Sequence, residues 1–536
     1  MNNDAPTRDA VVAGRTTLGI ELGSTNIKAC LIDADHTTVA VGVHTWENQF
    51  TDRRWTYPLD AVHTGLAGAF EALAADVRDR YGVELTTVGA IGVSAMMHGY
   101  LAFDAEDALL VPFRTWRNTT TGPAAAALTE AFGFNVPQRW SVAHLYQAML
   151  DGEEHVPDVA FLTTLAGYVH WQLTGERVLG VGDASGMFPI DPATGTYDTG
   201  MLAVFDGLAA QVTAPAAPLR ALLPEVLPAG APAGRLTEAG AALLDPTGGL
   251  RAGAPLCPPE GDAGTGMVAT NAVAPRTGNV SAGTSIFAMI VLERPLSTVH
   301  EEIDVVATPA GAPVAMVHCN NGSSELGAWA ALFGEFAAAI GSDAGPDAVF
   351  AALLGAALDG EPDGGGVLAF NYLSGETITG LDEGRPMVVR TPGSRLTLAN
   401  FARTQVYSVF ATLALGMRTL AAEDVAIDAM LAHGGLFRTR GVAQRLLAAA
   451  VGAPVAVAAT AGEGGAWGIA VLAAYSAAVT AGETRPLADW LAETVFANAV
   501  LDVVDPDAGD VAGLTAYLAT YEAALPVQHA AVAATR

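Results

Sequence analysis

The sequence predicts an α/β protein of two lobes, each built on a mixed β-sheet with flanking helices. Its 536 residues exceed one ordinary hydrophobic core and are enough for two or three domains. Apolar residues make up 51% of the chain and charged residues only 15%, so large buried cores can form. A strand–turn–strand pattern near residue 17 recurs in part near residue 279, which indicates two related halves.

The first half begins with two short strands joined by a tight turn. Residues 17–23 and 27–33 have the composition of strands, and residues 39–43 follow as a third. Residues 60–80 carry apolar side chains at helical spacing, and a buried strand is predicted over 88–94. Three antiparallel strands, a helix and a further strand indicate a mixed sheet.

The second half repeats the opening pattern. A strand over 279–281 and a strand over 286–292 flank the turn Ala282-Gly283-Thr284-Ser285. Two lobes that each begin with a glycine- and hydroxyl-containing turn suggest that a nucleotide lies between them.

The domain division follows from this repeat. We predict an N-terminal lobe over residues 16–274 and a C-terminal lobe over residues 275–536. Residues 1–15 are polar and are predicted to form a disordered tail.

The charge balance narrows the range of partners. The chain has 26 Lys and Arg against 56 Asp and Glu, a formal net charge of −30, which repels nucleic acids and anionic lipids. We therefore expect neither a nucleic-acid nor a membrane partner. A bound nucleotide would need backbone N–H groups, a metal ion or a few well-placed cations.

The cysteines and apolar segments indicate the compartment. Cys30, Cys257 and Cys319 show no metal-ligand spacing, and their odd number argues against a disulfide framework, so we expect buried free thiols. The N-terminus lacks the apolar core of a signal peptide, and no apolar stretch is long enough to span a bilayer. These features predict a cytoplasmic protein, and they leave open whether it forms a homodimer.

A polar turn after the first strand is the first candidate site. The segment Glu21-Leu22-Gly23-Ser24-Thr25 could present backbone N–H groups and hydroxyls to a triphosphate, with a carboxylate nearby for Mg²⁺. Taken alone, the segment is better explained as an ordinary polar hairpin turn. The recurrence of Gly and hydroxyl residues at 283–285 favours the phosphate-binding interpretation.

An ordered set of motifs resembles one known family, the FGGY carbohydrate kinases, of the superfamily of actin, hexokinase and the heat-shock ATPases. Besides the two turns, the matching segments are Met97-His98-Gly99, Trp116-Arg117-Asn118, Leu173-Thr-Gly-Glu176, Gly182-Asp-Ala-Ser-Gly186, Glu260-Gly-Asp262-Ala-Gly, Leu373-Ser-Gly-Glu376 and His433-Gly434-Gly435. They follow the family's order from about residue 17 to about residue 475. The family's own name motifs are divergent here.

The resemblance implies two actin/hexokinase-like lobes with ATP in the interlobe cleft, and it assigns roles to individual residues. Asp262 would be the catalytic base that takes the proton from the sugar hydroxyl, and it would share Mg²⁺ with Glu21. The residues implied to bind ATP are Gly23, Ser24, Thr25, Gly283, Thr284, Gly434 and Gly435. The residues implied to bind the sugar are Met97, His98, Trp116, Asn118 and Asp262.

The local sequence leaves simpler interpretations open. Asp262 could be a turn residue at a helix start, and Gly434 could belong to a plain strand-to-helix turn. His98 and Trp116 could be satisfied core residues, and Asp183 could support a ligand or cap a loop. If Asp262 begins a helix, its anion gains about 0.3–1 kcal/mol, which predicts a low pKa.

Departures from the family pattern place the substrate in doubt. Glu21 stands where the family usually has Asp, and Ala263 stands where many members carry Asn or Gln. Arg117-Asn118 replaces the Asn-Asp of xylulokinases and the Lys-Asp of ribulokinases. The Met97-His98-Gly99 match favours a ketopentose, xylulose or ribulose, phosphorylated at its terminal hydroxyl.

Three other functions remain as alternatives. A degenerate ATP-binding sugar sensor would be expected to lack Asp262 or the Gly283-Thr284 turn, and both are present. An actin-like or chaperone ATPase would not need the sugar motifs. A kinase for glycerol, erythritol or a seven-carbon ketose would differ only in its pocket.

Overall fold

The protein consists of two compact units. The structure is a computed structural model that describes residues 5–439, 441–458 and 464–535. Of these residues, the first unit contains 5–274, 305–314 and 464–498, and the second contains the remainder. Residues 305–314 and 464–498 of the first unit fall within the C-terminal lobe that the sequence predicted over residues 275–536.

The elements up to residue 274 lie in the first unit. The strands are β1 (Thr17–Leu22), β2 (Asn26–Ile32), β3 (Thr38–Thr45), β4 (Gln49–Thr51), β5 (Arg54–Thr56), β6 (Ala90–Ala95), β7 (Leu101–Phe103), β8 (Phe161–Thr163), β9 (Val178–Gly180), β10 (Ile190–Asp191), β11 (Thr196–Tyr197), β12 (Glu225–Leu227) and β13 (Glu260–Gly261). The helices are α1 (Ala5–Val12), α2 (Leu59–Tyr81), α3 (Gly122–Phe132), α4 (Ser141–Asp151), α5 (Leu165–Thr174), α6 (Val181–Ala184), α7 (Thr199–Ala209), α8 (Leu219–Leu222), α9 (Glu238–Leu244) and α10 (Asp262–Ala269).

The elements after residue 274 continue the numbering. The strands are β14 (Thr277–Ala282), β15 (Ile286–Val291), β16 (Ile303–Ala307), β17 (Pro313–Cys319), β18 (Val367–Phe370), β19 (Met387–Arg390), β20 (Ala429–His433), β21 (Val455–Ala458) and β22 (Leu501–Val504). The helices are α11 (Ser324–Ala339), α12 (Pro346–Ala357), α13 (Leu398–Ala422), α14 (Val442–Val451), α15 (Gly465–Thr480), α16 (Leu487–Trp490), α17 (Ala508–Ala524) and α18 (Pro526–Ala534).

The first unit contains a mixed five-stranded sheet in the order β13-β6-β1-β2-β3. Strand β1 pairs antiparallel with β2 and parallel with β6, and β6 pairs parallel with β13. The second unit contains a sheet in which neighbouring strands follow the order β15-β14-β20-β21-β22. There β14 pairs antiparallel with β15 and parallel with β20, and β20 pairs parallel with β21. The repeat seen in the sequence is thus a repeat of sheet topology, and the predicted mixed sheets are confirmed.

Two helices cover opposite faces of the first sheet. A Cβ on Gly19 in β1 would lie 2.1 Å from the Ala466 carbonyl of α15, so α15 packs directly on the strand backbone. A Cβ on Gly42 in β3 would lie 2.1 Å from the Ala69 carbonyl of α2. Gly19 and Val41 are aligned across the sheet through Cys30, so Gly42 points to the other face. This packing explains why the segment containing α15 belongs to the first unit.

Each unit has its own hydrophobic core. In the first, side chains of β1, β2 and β6 pack against α2 and α5, with Ile20, Ile27 and Val93 among the buried members. In the second, the long helix α13 lies at the centre, and Tyr407 and Phe410 have no exposed surface. The three cysteines are free and buried, as predicted. Among the helices that the structure describes, none is long and apolar enough to cross a lipid bilayer.

The N-terminal segment differs from the prediction of a disordered tail over residues 1–15. Residues 5–12 form helix α1, and Val11 is only 1% exposed. The packing of this apolar side chain into the first core accounts for the ordered helix. Residues 1–4 lie outside the described part.

Candidate active site

Asp262 is the first residue of helix α10 and follows strand β13 directly. Because β13 lies parallel to β6, the carboxyl ends of both strands meet at one edge of the sheet, and Met97 follows β6 there. The Met97 N–H donates to Asp262 Oδ1 at 3.2 Å. The structure thus brings together two of the residues predicted from separate motifs.

The pKa of Asp262 is raised, contrary to the prediction from its helix-start position. Surrounding protein displaces water and raises the pKa to about 6, while backbone N–H groups of Met97 and Ala263 oppose the rise. The expected helix-terminus gain of about 0.3–1 kcal/mol is worth less than about one pKa unit, so desolvation outweighs it. Asp262 nevertheless keeps exposed surface, so its carboxylate is open to a ligand.

Two buried acids lie behind Asp262. Glu260, only 1% exposed, accepts the backbone N–H groups of Gly182 at 3.3 Å and Asp183 at 2.9 Å. Asp183 has no exposed surface, and its Oδ2 accepts the Thr164 hydroxyl at 2.5 Å. Burial raises the pKa of Asp183 to about 7 and that of Glu260 to about 8.

Asp183 therefore fixes the start of a helix. Thr164 is the N-cap of α5, and its hydroxyl accepts the Gly167 N–H at 3.1 Å. Asp183 Oδ1 has no hydrogen-bond partner among the described residues. The structure thus shows Asp183 hydrogen-bonded to a helix-cap residue, and its support of a ligand stays a prediction.

Glu21 lies near the end of β1 and contacts the start of α15. Its Oε2 accepts the Ala466 N–H at 3.1 Å, and a Cβ on Gly465 would lie 2.2 Å from Oε1. Burial and the charge of Asp262 raise the pKa of Glu21 to about 7, against the opposing effect of Lys28. The longer side chain that replaces the family's Asp is thus accommodated by a glycine at the helix start.

The donor set at Glu21 and Asp262 fits a metal ion that arrives with a phosphate ligand. One oxygen of each carboxylate already accepts a backbone N–H. Within the described residues, no group of three or more His, Cys, Asp or Glu side chains is arranged to hold a metal ion. Mg²⁺ is commonly bound by one or two carboxylates together with substrate phosphates and water. The residues present suit that arrangement and not a site built from protein ligands alone.

The carbonyl groups of the first turn (residues 23–25) accept hydrogen bonds from Trp46 and Tyr57. Trp46 Nε1 donates to the Gly23 carbonyl at 2.8 Å, and the Tyr57 hydroxyl donates to the Ser24 carbonyl at 2.7 Å. The Trp46 N–H donates to the Thr25 carbonyl at 3.1 Å. The Ser24 and Thr25 N–H groups have no acceptor within the described part of the chain. Free N–H groups on a rigid turn are suited to bind an anion.

The second turn (residues 283–285) is held in the same manner by a neighbouring loop. The Gly322 N–H donates to the Thr284 carbonyl at 2.8 Å, and the Ser323 N–H and hydroxyl both donate to the Gly283 carbonyl at 2.8 Å. Gly283 and Thr284 are exposed. In both turns other segments bind carbonyl groups and the glycine N–H donates within the turn, Gly23 to Asn26 and Gly283 to Ser285, while Thr25 and Thr284 are exposed.

Gly434 lies directly against the second turn. It has φ +119°, and a Cβ there would lie 2.2 Å from the Ala282 carbonyl, so only glycine fits. Gly435 is exposed, and nothing lies within 4 Å of its Cβ position. Strand β20, which ends at His433, pairs parallel with β14, so the glycine pair follows the strand next to the second turn. This places the two predicted nucleotide-binding segments of the second unit, the turn and the glycine pair, side by side.

Met97 and His98 are both buried, at 5% exposed each. His98 adopts φ +69°, a conformation that non-glycine residues seldom adopt, and its Nδ1 lies 3.2 Å from the Gly186 carbonyl. Its ring stacks near that of Trp140, with centroids 6.4 Å apart. A strained, tightly packed histidine beside Asp262 indicates a constrained segment, as is common at functional sites.

Asn118 is committed to the protein backbone. Its Nδ2 donates to the carbonyls of Trp55 at 2.8 Å and Thr115 at 3.0 Å, and its Oδ1 accepts the Trp55 N–H at 2.9 Å. Both amide hydrogens are thus used, and only a lone pair of Oδ1 remains for a ligand. Trp116 is partly buried, and the exposed Arg117 lies over the rings of Trp55 and Trp116 at 4.9 and 5.5 Å.

Sequence reasoning missed the residues that support the two turns. Trp46 and Tyr57 stack at 4.2 Å behind the first turn, and Asn321 with Gly322 supports the second. No spacing in the sequence signals these contacts, because each supporting residue is separated along the chain from the turn it holds. The sequence offers only the aromatic or amide character of these residues as a sign of their supporting role.

Two family models match the chain. The N-terminal domain of the FGGY family of carbohydrate kinases matches residues 16–268, and the C-terminal domain of the same family matches residues 278–477. The chain belongs to the FGGY family of carbohydrate kinases. It is an ATP-dependent carbohydrate kinase, and the resemblance stated from its motifs is confirmed.

Solved structures show the same fold. The xylulose kinase from Rhodospirillum rubrum is 21% identical, with a TM-score of 0.75 over 96% of this chain and 100% of that one. A xylulose-type kinase from Brucella ovis is 19% identical, with a TM-score of 0.76 over 96% of this chain and 99% of that one. The gluconate kinase from Lactobacillus acidophilus is 16% identical, with a TM-score of 0.76 over 95% of this chain and 98% of that one. The two family matches and these three structures together confirm the predicted actin/hexokinase-like fold.

Proposed function

We propose that the protein transfers the γ-phosphate of ATP to the terminal hydroxyl of a ketopentose, xylulose or ribulose, in carbohydrate catabolism. The observation that carries this proposal is the placement of Asp262 at the start of α10, beside Met97 and the constrained His98. An exposed carboxylate there can contact a sugar hydroxyl directly. The structural resemblance to two xylulose kinases supports the choice of ketopentose.

Asp262 acts as the general base. Its carboxylate accepts the proton of the attacking hydroxyl as the sugar oxygen bonds to the γ-phosphorus, and the bond from that phosphorus to the bridging oxygen breaks to release ADP. The transition state of phosphoryl transfer is loose, so positioning of the hydroxyl contributes much of the effect.

The two turns bind the phosphates. Ser24 and Thr25 offer free N–H groups, and we assign them and Gly23 to the phosphate tail. Gly283 and Thr284 contact the transferring phosphate, and the Gly434-Gly435 pair lies against the adenine. In a chain of net charge −30, neutral backbone donors attract phosphate without requiring basic side chains.

Glu21 and Asp262 hold Mg²⁺ together with the ATP phosphates. The bound ion would neutralise the charge that develops on the phosphate oxygens. Burial, and after it the charge of Asp262, raises the pKa of Glu21, and a bound cation would favour the ionised form of both carboxylates.

The sugar contacts do not single out one substrate, since the Ala263 side chain offers no polar group and the Asn118 amide hydrogens are taken. Met97, His98 and Trp116 remain as the wall of the pocket. The gluconate kinase that shares the fold makes a sugar acid the second candidate substrate class.

A panel of acceptors tests the substrate assignment. ADP release would be measured with ketopentoses, aldoses, glycerol, erythritol, a seven-carbon ketose and gluconate, each with Mg²⁺ and ATP. We expect kcat/KM for one ketopentose to exceed that for every aldose and polyol by about tenfold or more. Preference for gluconate or a polyol would replace the ketopentose assignment, and equal, background rates across the panel would favour a sugar sensor.

A further inference from the structure

The second turn is connected to a buried hydrogen-bond network that the phosphate-binding motifs do not include. The loop of Gly322 and Ser323 holds the turn's carbonyls, as described above. A Cβ on Gly322 would lie 2.4 Å from the Gly283 carbonyl, so the loop is in direct contact with the turn backbone. Any displacement of this loop therefore moves the turn.

Asn321 fixes that loop to the segment 371–376. This residue is 5% exposed, and its Oδ1 accepts the N–H groups of Leu373 at 2.9 Å and Ser374 at 3.0 Å. Its Nδ2 donates to Glu376 Oε2 at 3.1 Å, and its own N–H donates to the same oxygen at 3.2 Å. The amide thus has partners on both its oxygen and its nitrogen.

Asn371 holds the loop from a second side. Its Nδ2 donates to the carbonyls of Asn321 at 3.0 Å and Gly322 at 2.9 Å. Together these bonds connect Glu376, through Asn321 and Gly322, to the Thr284 carbonyl. Buried networks in which the partners are satisfied restrict the backbone to one arrangement.

Glu376 is an unusual choice for a purely structural position. It is 1% exposed, its partner is the neutral Asn321, and its Oε1 has no hydrogen-bond partner among the described residues. A buried carboxylate without a paired cation is unfavourable for folding.

We propose that Asn321 and Glu376 are positioning residues that set the second turn for the transferring phosphate of ATP without touching the nucleotide. This inference rests on the proposed role of Gly283 and Thr284. It predicts that the network affects binding of the terminal phosphate more than binding of the rest of the nucleotide.

The test compares two buried asparagines in the same unit. Asn321→Ala removes the network, and Asn400→Ala is the matched control. Asn400 is 2% exposed, accepts the Glu361 N–H at 2.8 Å and donates to the Arg395 carbonyl at 2.8 Å. Among the described residues, neither partner is hydrogen-bonded to the second turn. Both variants are expected to lower the melting temperature.

The deciding measurement is the dissociation constant of Mg·ATP and of Mg·ADP, determined without sugar at a temperature where all variants are folded. We expect Asn321→Ala to weaken ATP by about tenfold and ADP by less than about threefold, while Asn400→Ala changes neither by more than about threefold. Equal weakening of both nucleotides, an unchanged ATP affinity in Asn321→Ala, or the same loss in Asn400→Ala would overturn the proposal.

Glu376 provides a second, independent variant. Glu376→Gln keeps an oxygen acceptor for Asn321 and should retain the Mg·ATP dissociation constant within about threefold, whereas Glu376→Ala should weaken Mg·ATP binding by about tenfold. Equal losses in both variants would contradict a role through hydrogen bonding. Because nucleotide affinity is read without turnover, a wild-type protein that binds ATP but phosphorylates no sugar would refute the proposed function and leave this comparison intact.

Discussion

The carboxylate of Asp262 is subject to two opposing effects. Backbone N–H groups of Met97 and Ala263 favour its anion, whereas the surrounding protein disfavours it, and the net result is a pKa raised to about 6. A base needs to be ionised before it can accept a proton, and Brønsted behaviour favours a base whose pKa is not far below the working pH. At the scale of the residue, the upward shift therefore makes Asp262 a better proton acceptor than an ordinary aspartate.

The shift predicts a pH dependence with a definite sign. Asp262 loses its ionised form as the pH falls through about 6, so we expect kcat/KM for the sugar to fall with decreasing pH in that range. An aspartate of ordinary pKa, about 3.9, would stay active to a much lower pH. The measurement is kcat/KM between pH 5 and 8 at Mg·ATP well below its KM, so that most of the protein is free of the cation, with folding monitored by fluorescence. A flat profile down to pH 5 would exclude Asp262 as a base with a raised pKa.

At the scale of the element, the strand–turn–strand unit is used twice. In each unit the first strand is central, pairs antiparallel with the next strand and parallel with a later one. In each, other parts of the chain bind the turn's carbonyls. The rigidity of the turns therefore comes from outside the hairpins, from Trp46 and Tyr57 in one and from Gly322 and Ser323 in the other.

The glycine pair after β20 offers a test with an internal control. Gly434→Ala places a Cβ 2.2 Å from the Ala282 carbonyl at φ +119°, and should destabilise the second unit by about 1–3 kcal/mol or more. It should also weaken ATP binding, because Ala282 precedes the second turn. Gly435→Ala adds its Cβ to open space and should leave the stability nearly unchanged. The readouts are thermal unfolding and ATP affinity, and equal effects of both substitutions on stability would refute this account of the turn.

At the scale of the whole molecule, the sequence predicted local features better than distant ones. The strand–turn–strand repeats, helix α2 and the position of Asp262 at a helix start depend on neighbouring residues, and the sequence carries that information. The membership of α15 in the first unit depends on a contact between Gly19 and Ala466, far apart in the chain, and was not predicted. The ordering of α1 depends likewise on the burial of Val11.

For the candidate site too, the sequence predicted local features better than features that depend on distant residues. The motif order identified the residues, but their state depends on three-dimensional surroundings. Desolvation by the surrounding protein raises the pKa of Asp262. The Asn118 amide is hydrogen-bonded to Trp55, which lies 63 residues earlier in the chain. Composition and spacing cannot report either one, since both depend on which atoms surround the side chain.

The net charge of −30 disfavours a basic phosphate-binding surface. Backbone groups and a cation are therefore the groups expected to bind phosphate. The central claim is that such a site transfers phosphate with Asp262 as the base. The most direct measurement compares sugar phosphate formation by the wild-type protein and by Asp262→Asn, followed by ³¹P NMR, together with the ATP affinity of each. We predict a fall in kcat of about 10²-fold or more in Asp262→Asn, with ATP affinity within about threefold. A variant that binds ATP and retains sugar phosphorylation within about tenfold of the wild type would contradict the account.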